Sequence, residues 1–351
     1  MLWQSTAPKM VFFAITSHCD LSCTTCRFPQ IPVDERKHVD YDASRKAIDM
    51  LAENDVRLIS LTGGEPLLHP RFLDICRHVD SRGLMISYIA TNGLLLDDRI
   101  ARELSGLNIN IVGLSMDIMD ENGVGRTRSY NVRKVVRRAK EVLDRHGIKC
   151  YAGVLPGRSP EDVSVLLDQC REMGFSKVIF SYPQCRMSSS YRAAAVSVDT
   201  DIDSHQMREV VHAIKEEKKA TTKLGIFNTD VNLDEFLKVH GGKDSSYGCP
   251  AGERQFYLDW NLDLYRCFND GMLFGNILDL GNLDFDCESC QKCTQQAFRD
   301  YASFYRAYDF LDGLRKGFIS GDGKKLRVLL SDGDNYRAMR SLMEAYLGGF
   351  V

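Results

Sequence analysis

Six short β-branched runs separated by amphipathic helical stretches fill the first half of this chain, and a chain so patterned has few ways to fold. The runs cover residues 11–16, 58–61, 85–91, 109–115, 149–154 and 177–181. Helical patterns lie between them at 41–53, 71–82 and 131–146. Another opens at Ser159, a hydroxyl cap followed by Pro160, Glu161 and Asp162. The proline fits the first helical turn and the acids its positive end. Parallel strands need a crossover of about a dozen residues or more, which these helices provide. The pattern predicts an α/β fold with a parallel sheet, open or curled into a barrel.

The alternation fades after residue 182. A polar stretch at 188–190 and a charged helical pattern at 206–219 lead into a cysteine-bearing region at 247–298; the tail reads as helical, most clearly at 336–347. The expected organisation is a core at 1–182, a connecting helical segment at 183–246, a cysteine-bearing unit at 247–298 and a helical tail at 299–351. Apolar residues make up 44% of the chain, enough for a substantial core. A net charge of −3, with acids and bases evenly spread, argues against a nucleic-acid partner. The pattern at 131–146 carries Arg133, Lys134, Arg137, Arg138 and Lys140. However, Val132, Val135, Val136, Ala139, Val142 and Leu143 form an apolar stripe at helical period, so the cations read as its solvated side. No apolar run reaches membrane-spanning length and residues 1–10 lack a signal-peptide core. A cytoplasmic protein with no membrane partner is expected.

Twelve cysteines are many for 351 residues. Clustered, and without an export signal, they point to metal rather than to disulfides. Cys19, Cys23 and Cys26 form a C-x3-C-x2-C set just after the first strand; Cys249, Cys267, Cys287, Cys290 and Cys293 form a second set. Cys76, Cys150, Cys170 and Cys185 are scattered and read as packed thiols, with Cys185 also a candidate hydrogen donor. Three thiolates on one loop suit three corners of a cubane iron–sulfur cluster. One iron is then open to a substrate or cofactor. A structural zinc site, the alternative, wants a fourth ligand that the local sequence does not offer; His18 is adjacent but poorly directed.

Taken with Thr62, Gly63, Gly64, Glu65 and Pro66 after the second strand, the triplet resembles the radical S-adenosylmethionine superfamily, in order and spacing from residue 11 to about 181. The resemblance implies a partial (β/α)6 TIM-like barrel with a small C-terminal α+β cluster-binding extension, active at the C-terminal strand ends. It implies a [4Fe–4S] cluster on Cys19, Cys23 and Cys26 whose open iron chelates S-adenosyl-L-methionine, and an electron donor such as flavodoxin or ferredoxin as partner. It implies cofactor-binding roles for several positions. Gly63, Gly64 and Glu65 would serve the methionyl ammonium, with Pro66 completing that cofactor loop, Asn92 and Ser115 the pocket lining, Arg126 the methionyl carboxylate, and Gly153 and Leu155 the adenine. Asp117 is a candidate for ribose contact or proton relay, with structural capping as the alternative. Two positions depart from the family pattern. Thr25 stands where relatives place an aromatic residue against the adenine, with Phe28 the nearest substitute, and Glu161 is one position late for the acid of the adenine segment. In the implied reaction the reduced cluster passes one electron to the sulfonium, and the resulting 5′-deoxyadenosyl radical takes hydrogen from a substrate C–H bond.

The second set resembles the SPASM/twitch extension of the same superfamily. Residues 255–259 and 264–267 read as a hairpin that brings Cys249 and Cys267 together. Cys287, Cys290 and Cys293 then supply more ligands than a second, auxiliary [4Fe–4S] cluster requires. Spacing does not say which of the three is spare, and structural zinc is the alternative occupant. The motif's turn glycine is replaced by Leu262, and Asn261 is expected to take the left-handed conformation instead. The favoured function is hydrogen abstraction from a small-molecule substrate, a sugar, nucleoside or related metabolite, ending in dehydrogenation, epimerisation or C–C bond formation. A peptide-modifying enzyme is the alternative, disfavoured because few residues precede the first strand. A non-enzymatic iron–sulfur protein is disfavoured by the intact loop at 63–66. A molybdopterin-precursor synthase is disfavoured too: Cys249 is unpaired locally, and Gly348 and Gly349 are followed by Phe350 and Val351.

Overall fold

The computed structural model describes residues 7–24, 26, 28–123, 125, 130–181, 202–220, 224–293 and 295–350. Each expected strand is present to within a few residues: β1 (Lys9–Ala14), β2 (Val56–Thr62), β3 (Met85–Thr91), β4 (Val112–Met116), β5 (Cys150–Val154) and β6 (Lys177–Phe180). They pair in parallel and in chain order. With no reversal of strand order, right-handed crossovers all fall on one side, so the sheet curls with its helices outside as a partial barrel. The crossovers are α1 (Tyr41–Glu53), α2 (Phe72–Ser81), α3 (Asp98–Ser105), α4 (Val132–Arg145) and α5 (Pro160–Glu172). Four of them start on side-chain caps: Asp40, Asp97, Asn131 and Ser159 accept from the N–H groups of Ala43, Ile100, Lys134 and Asp162. Each cap satisfies a donor that the first turn leaves open, worth about 1 kcal/mol.

The two faces of the curled sheet differ. Ile89, Leu114, Met116, Ala152 and Val154 are buried in the main core, whereas the alternate residues Ala90, Ser115 and Gly153 are half-buried. Side chains alternate faces along a strand, so small residues line the concave face toward the C-terminal strand ends. Deeper on that face Tyr88 occupies the space beside β4: a Cβ on Gly113 would lie 1.6 Å from its hydroxyl.

Two further pieces extend the sheet. β7 (Gly225–Ile226), set between α6 (Ser204–Ala220) and α7 (Asp230–His240), pairs with β6. On the opposite edge β8 (Gln255–Leu258) lies parallel to β1, in register from Met10 with Gln255 to Phe13 with Leu258. β9 (Asp263–Tyr265) and β10 (Leu273–Asn276) follow antiparallel. The hairpin read from the sequence therefore belongs to the barrel's own ten-stranded sheet. The proposed boundary between residues 246 and 247 separates strands that share it.

The turn between β8 and β9 corrects one expectation. Leu262, not Asn261, is left-handed, with φ of 65°. Asp259 organises the turn: its Oδ1 accepts from the N–H groups of Asn261 (2.8 Å) and Asp263 (3.0 Å). Leu262 is itself buried. Burying a leucine contributes about 1.5–3 kcal/mol, which offsets left-handed strain of about 1–3 kcal/mol. Packing thus holds a leucine where a turn alone would select glycine.

The tail consists of α8 (Gln296–Ser320), α9 (Gly323–Ser331) and α10 (Gly333–Leu347). α8 plugs the concave side. Phe298 meets Phe12 and Phe268, with ring centroids 5.1 and 5.3 Å apart, and Phe304 and Tyr301 join Tyr88, Ile111 and Tyr151 in a second apolar cluster. Among the described residues no helix is long and apolar enough to cross a membrane.

Candidate active site

The loops that follow β1 and β2 touch along their backbones. Gly64 N–H donates to Thr16 O (2.9 Å) and Glu65 N–H to His18 O (2.8 Å). That contact explains the glycines. A Cβ on Gly63 would lie 2.2 Å from Thr16 O, and one on Gly64 would lie 2.1 Å from His18 O and 3.1 Å from Cys19 Cβ. Gly63 also has φ of 131°, a conformation that suits glycine alone. Both glycines therefore fix where Cys19 stands. Cys26 N–H donates to Cys23 O (3.2 Å), which folds the triplet into a turn. Cys19 and Cys26 are close enough to oppose each other's ionisation, and burial pushes the Cys19 thiol up to about 12. A bound iron centre is what would hold this thiol ionised, since a coordinated thiol is deprotonated outright.

Glu65 is buried and its carboxylate is fully engaged. It accepts from Leu67 N–H (3.1 Å), the Thr91 hydroxyl (2.8 Å) and Asn92 N–H (2.8 Å). Burial raises its pKa to about 7. Pro66 begins the 3₁₀ turn (Pro66–Leu68) that Glu65 caps. The Glu65 side chain thus ties the loop after β2 to the end of β3. Asn92 continues the chain of bonds: its Nδ2 donates to Asp20 Oδ1 (2.7 Å), and its Oδ1 accepts from Leu94 N–H (2.8 Å). Asp20 lies inside the cysteine triplet, and no pattern in the sequence marked it. Arg138 of α4 donates to Gly93 O (2.9 Å) and Leu94 O (2.7 Å), so one of the solvated cations also clasps this loop.

Ser115 and Gly153 are register partners on β4 and β5, half-buried on the concave face. Leu155 follows β5 and is half-buried, and Asp117 is buried just past β4. The triplet, the two glycines, Asn92, Ser115 and Gly153 therefore stand at or beside the C-terminal ends of five consecutive strands. Thr25, Arg126 and Cys185 lie outside the described residues.

The second cysteine set gathers at the open end of the hairpin. Cys249 and Cys293 are within hydrogen-bonding reach of one another, Cys267 is near enough to oppose the ionisation of Cys249, and Cys293 that of Cys267. The Cys267 sulfur accepts from Asn269 N–H and the Cys293 sulfur from Gln295 N–H, each at 3.3 Å. The Cys249 contact holds the Cys293 thiol below its ordinary range, helped by the buried Arg299. The loop bearing Cys287 and Cys290 wraps the same place. Cys249 N–H donates to Cys290 O (2.9 Å), and a Cβ on Gly252 would lie 3.0 Å from the Cys287 sulfur. Among the described residues no three candidate ligands close on one point as a lone metal ion requires; a cubane places its thiolates on separate irons. Both sets fit a cluster by donor chemistry, soft thiolates on short loops. At the other end of the hairpin the Trp260 ring meets Phe28, two residues past Cys26, at 5.9 Å. The four-residue β8, about 13 Å long, thus lies between the two cysteine sets.

A buried polar network joins this second set to the far edge of the sheet. Arg299 pairs with Asp300, and Asp300 Oδ2 also accepts from Gln296 (3.1 Å) and Asn228 (3.2 Å). Asn228 in turn donates to Phe180 O (2.9 Å) and accepts from Phe180 N–H (2.8 Å), as a strand neighbour would. These residues follow no motif and were missed in the sequence.

Residues 13–170 match the family described as the radical SAM superfamily. The chain carries a radical SAM domain. Radical SAM enzymes use a [4Fe–4S] cluster with AdoMet, require a reductant, and carry auxiliary clusters in their SPASM-type members. The chain is 40% identical over 113 residues to the tungsten-containing aldehyde ferredoxin oxidoreductase cofactor-modifying protein of Pyrococcus furiosus, covering 32% of this chain and 31% of that one. It is 29% identical over 292 residues to the AdoMet-dependent heme synthase of Methanosarcina barkeri, covering 79% of this chain and 81% of that one. It thus spans about a third of the first relative and most of the second. Its fold resembles that of native anSMEcpe, solved with bound AdoMet and the Cp18Cys peptide, at a TM-score of 0.60 and 16% identity over 93% of this chain and 100% of that one.

Proposed function

We propose that this radical SAM enzyme takes a hydrogen atom from a substrate held over the concave face. In this reading Cys19, Cys23 and Cys26 hold the cluster that binds S-adenosylmethionine. Cys249, Cys267, Cys293 and either Cys287 or Cys290 hold an auxiliary one. The observation that carries the reading is the half-open row of Ala90, Ser115 and Gly153 beside a cysteine triplet cradled by glycines. When bound, the cluster and S-adenosylmethionine supply a primary-carbon radical by one-electron cleavage of a carbon–sulfur bond. The chain does the positioning. Gly63 and Gly64 seat the triplet, while Glu65, Asn92 and Asp20 lock its loop to β3. The small concave side chains leave volume for the adenosyl group. The aromatic floor of Tyr88, Tyr301 and Phe304 closes the barrel below and keeps water from a reactive intermediate. Arg126 on the methionyl carboxylate, Leu155 along the adenine, and Asp117 and Cys185 as proton or hydrogen donors belong to the same proposal, as does a cytoplasmic setting.

For the substrate we favour a peptide over the small molecule first expected. The peptide-bound anSMEcpe chain is matched over 100% of its length, so that fold holds a peptide without an added domain. A short lead-in to β1 therefore does not weigh against peptides. The second reading, a small molecule, is favoured by the similarity to AdoMet-dependent heme synthase along 79% of this chain. Anaerobic reconstitution followed by dithionite reduction should yield 5′-deoxyadenosine. Deuterium carried into it from labelled peptides, but not from labelled metabolites, supports the favoured substrate. The converse supports the second reading, and absence of 5′-deoxyadenosine from cluster-loaded protein overturns both.

A further inference from the structure

The cations on α4 have a use that the hydrogen-abstraction reading leaves unassigned. Lys134, Arg137, Arg138 and Glu141 follow one another at helical spacing and form a single exposed stripe, with Arg133 and Asn131 beside it. Together they line a shallow open depression of about 360 Å³. Glu141 is the one acid among those six. Among the described residues no ion pair neutralises Lys134 or Arg137, whereas the far end of the same helix is paired, Lys140 with Asp144 and Arg145 with Asp98. Val132, Val136 and Ala139 anchor the opposite side of the helix in the core, so the stripe is held on a rigid element.

What gives the stripe meaning is its connection. Arg138 donates to the carbonyls of Gly93 and Leu94, and Asn92, one residue earlier, donates to Asp20 at 2.7 Å. Asp20 adjoins Cys19. A cationic surface thus reaches the loop of the first cluster through two sets of side-chain hydrogen bonds.

We propose that the α4 stripe is the docking surface for an acidic one-electron carrier protein that reduces the first cluster. The proposal rests on the radical reading, since only a cluster that must be reduced in each cycle needs such a partner. The step balances simply: one electron leaves the reduced carrier, which ends one-electron oxidised, and enters the cluster, and no bond or group is transferred. A protein carrier suits the site better than a small reductant, because a broad exposed patch of one sign raises encounter rates with an oppositely charged surface and does so less as salt rises.

The test uses cluster-loaded protein carrying Lys134→Glu and Arg137→Glu, two exposed residues outside the cluster loops. 5′-Deoxyadenosine formation is followed with a chemically reduced acidic flavodoxin or ferredoxin, and separately with dithionite. The KM for the carrier should rise about tenfold or more and its salt dependence should flatten. The dithionite-driven rate should stay within about twofold of the parent. An unchanged carrier KM overturns the proposal, and so does tight binding of a short RNA or DNA duplex at the stripe with no effect on the carrier. If the dithionite rate falls in parallel, the stripe acts through the fold and the docking role is lost. If the parent protein itself makes no product with dithionite, it is the radical reading that fails.

Discussion

At the scale of single residues, the site depends on what is missing from two positions. Gly64 has no room for a methyl group, because a Cβ there would press on the His18 carbonyl at 2.1 Å and on Cys19 Cβ at 3.1 Å. Gly64→Ala should leave the circular dichroism spectrum unchanged while reconstituted protein loses roughly half its iron, that of the first centre; full iron content in the variant would contradict this. Leu262 presents the opposite case. Leu262→Gly relieves the left-handed strain but deletes a buried side chain, and large-to-small changes of that kind cost about 2–5 kcal/mol against about 1–3 kcal/mol of relieved strain. Net destabilisation is expected in denaturant titration, contrary to what the family's turn glycine suggests. The glycines were legible because nothing larger fits. Leu262 was not, because burial by distant residues leaves no trace in local sequence. Asp20 was hidden for a related reason: its partner Asn92 is 72 residues away.

At the scale of elements, the six barrel strands were legible to within a few residues as β-branched runs, and four of the five crossover helices carry their own caps. What the pattern could not convey was pairing. A hairpin of three- and four-residue strands reads the same whether it stands alone or adds to a barrel, and its union with β1 depends on long-range packing of Phe12, Phe268 and Phe298. The hairpin turn also makes a pH prediction. Burial raises the Asp259 carboxyl to about 6 from an ordinary 3.8. In the unfolded chain the group ionises first, so its stabilising effect is full below about pH 4 and fades as pH rises to about 6. Thermal unfolding of the wild-type chain should show this component, and Asp259→Asn should remove it. Asparagine keeps an Oδ1 for the N–H groups of Asn261 and Asp263, so the variant should fold; an unaltered pH profile would assign the component to other groups.

At the scale of the whole molecule, two cysteine sets are mounted on one continuous sheet, the first beyond β1 and the second around the hairpin beside it. Iron counting separates them. The parent protein should carry about eight irons, and Cys293→Ala about four, if each set holds one cubane. Retention of all the iron by Cys293→Ala would remove Cys293 from the ligand set, and zinc in place of the missing iron would favour a structural ion. Both sets stand out in the sequence because metal ligation, as proposed for them, demands fixed residue types at short spacing. The buried network of Arg299, Asp300 and Asn228 that braces the second set demands neither, and only the folded chain discloses it.

The pairing of β1 with β8 also governs how the protein is made. Met10 meets Gln255, 245 positions further along the chain, so at about 5–20 residues per second the ribosome leaves the first strand without its second neighbour for roughly 12–50 s. Throughout that interval the nascent barrel presents a bare apolar edge, open to wrong strands from other chains, and its three earliest thiols wait unshielded by the hairpin. Slow synthesis or aerobic expression should therefore harm yield more than the stability of the finished protein would suggest.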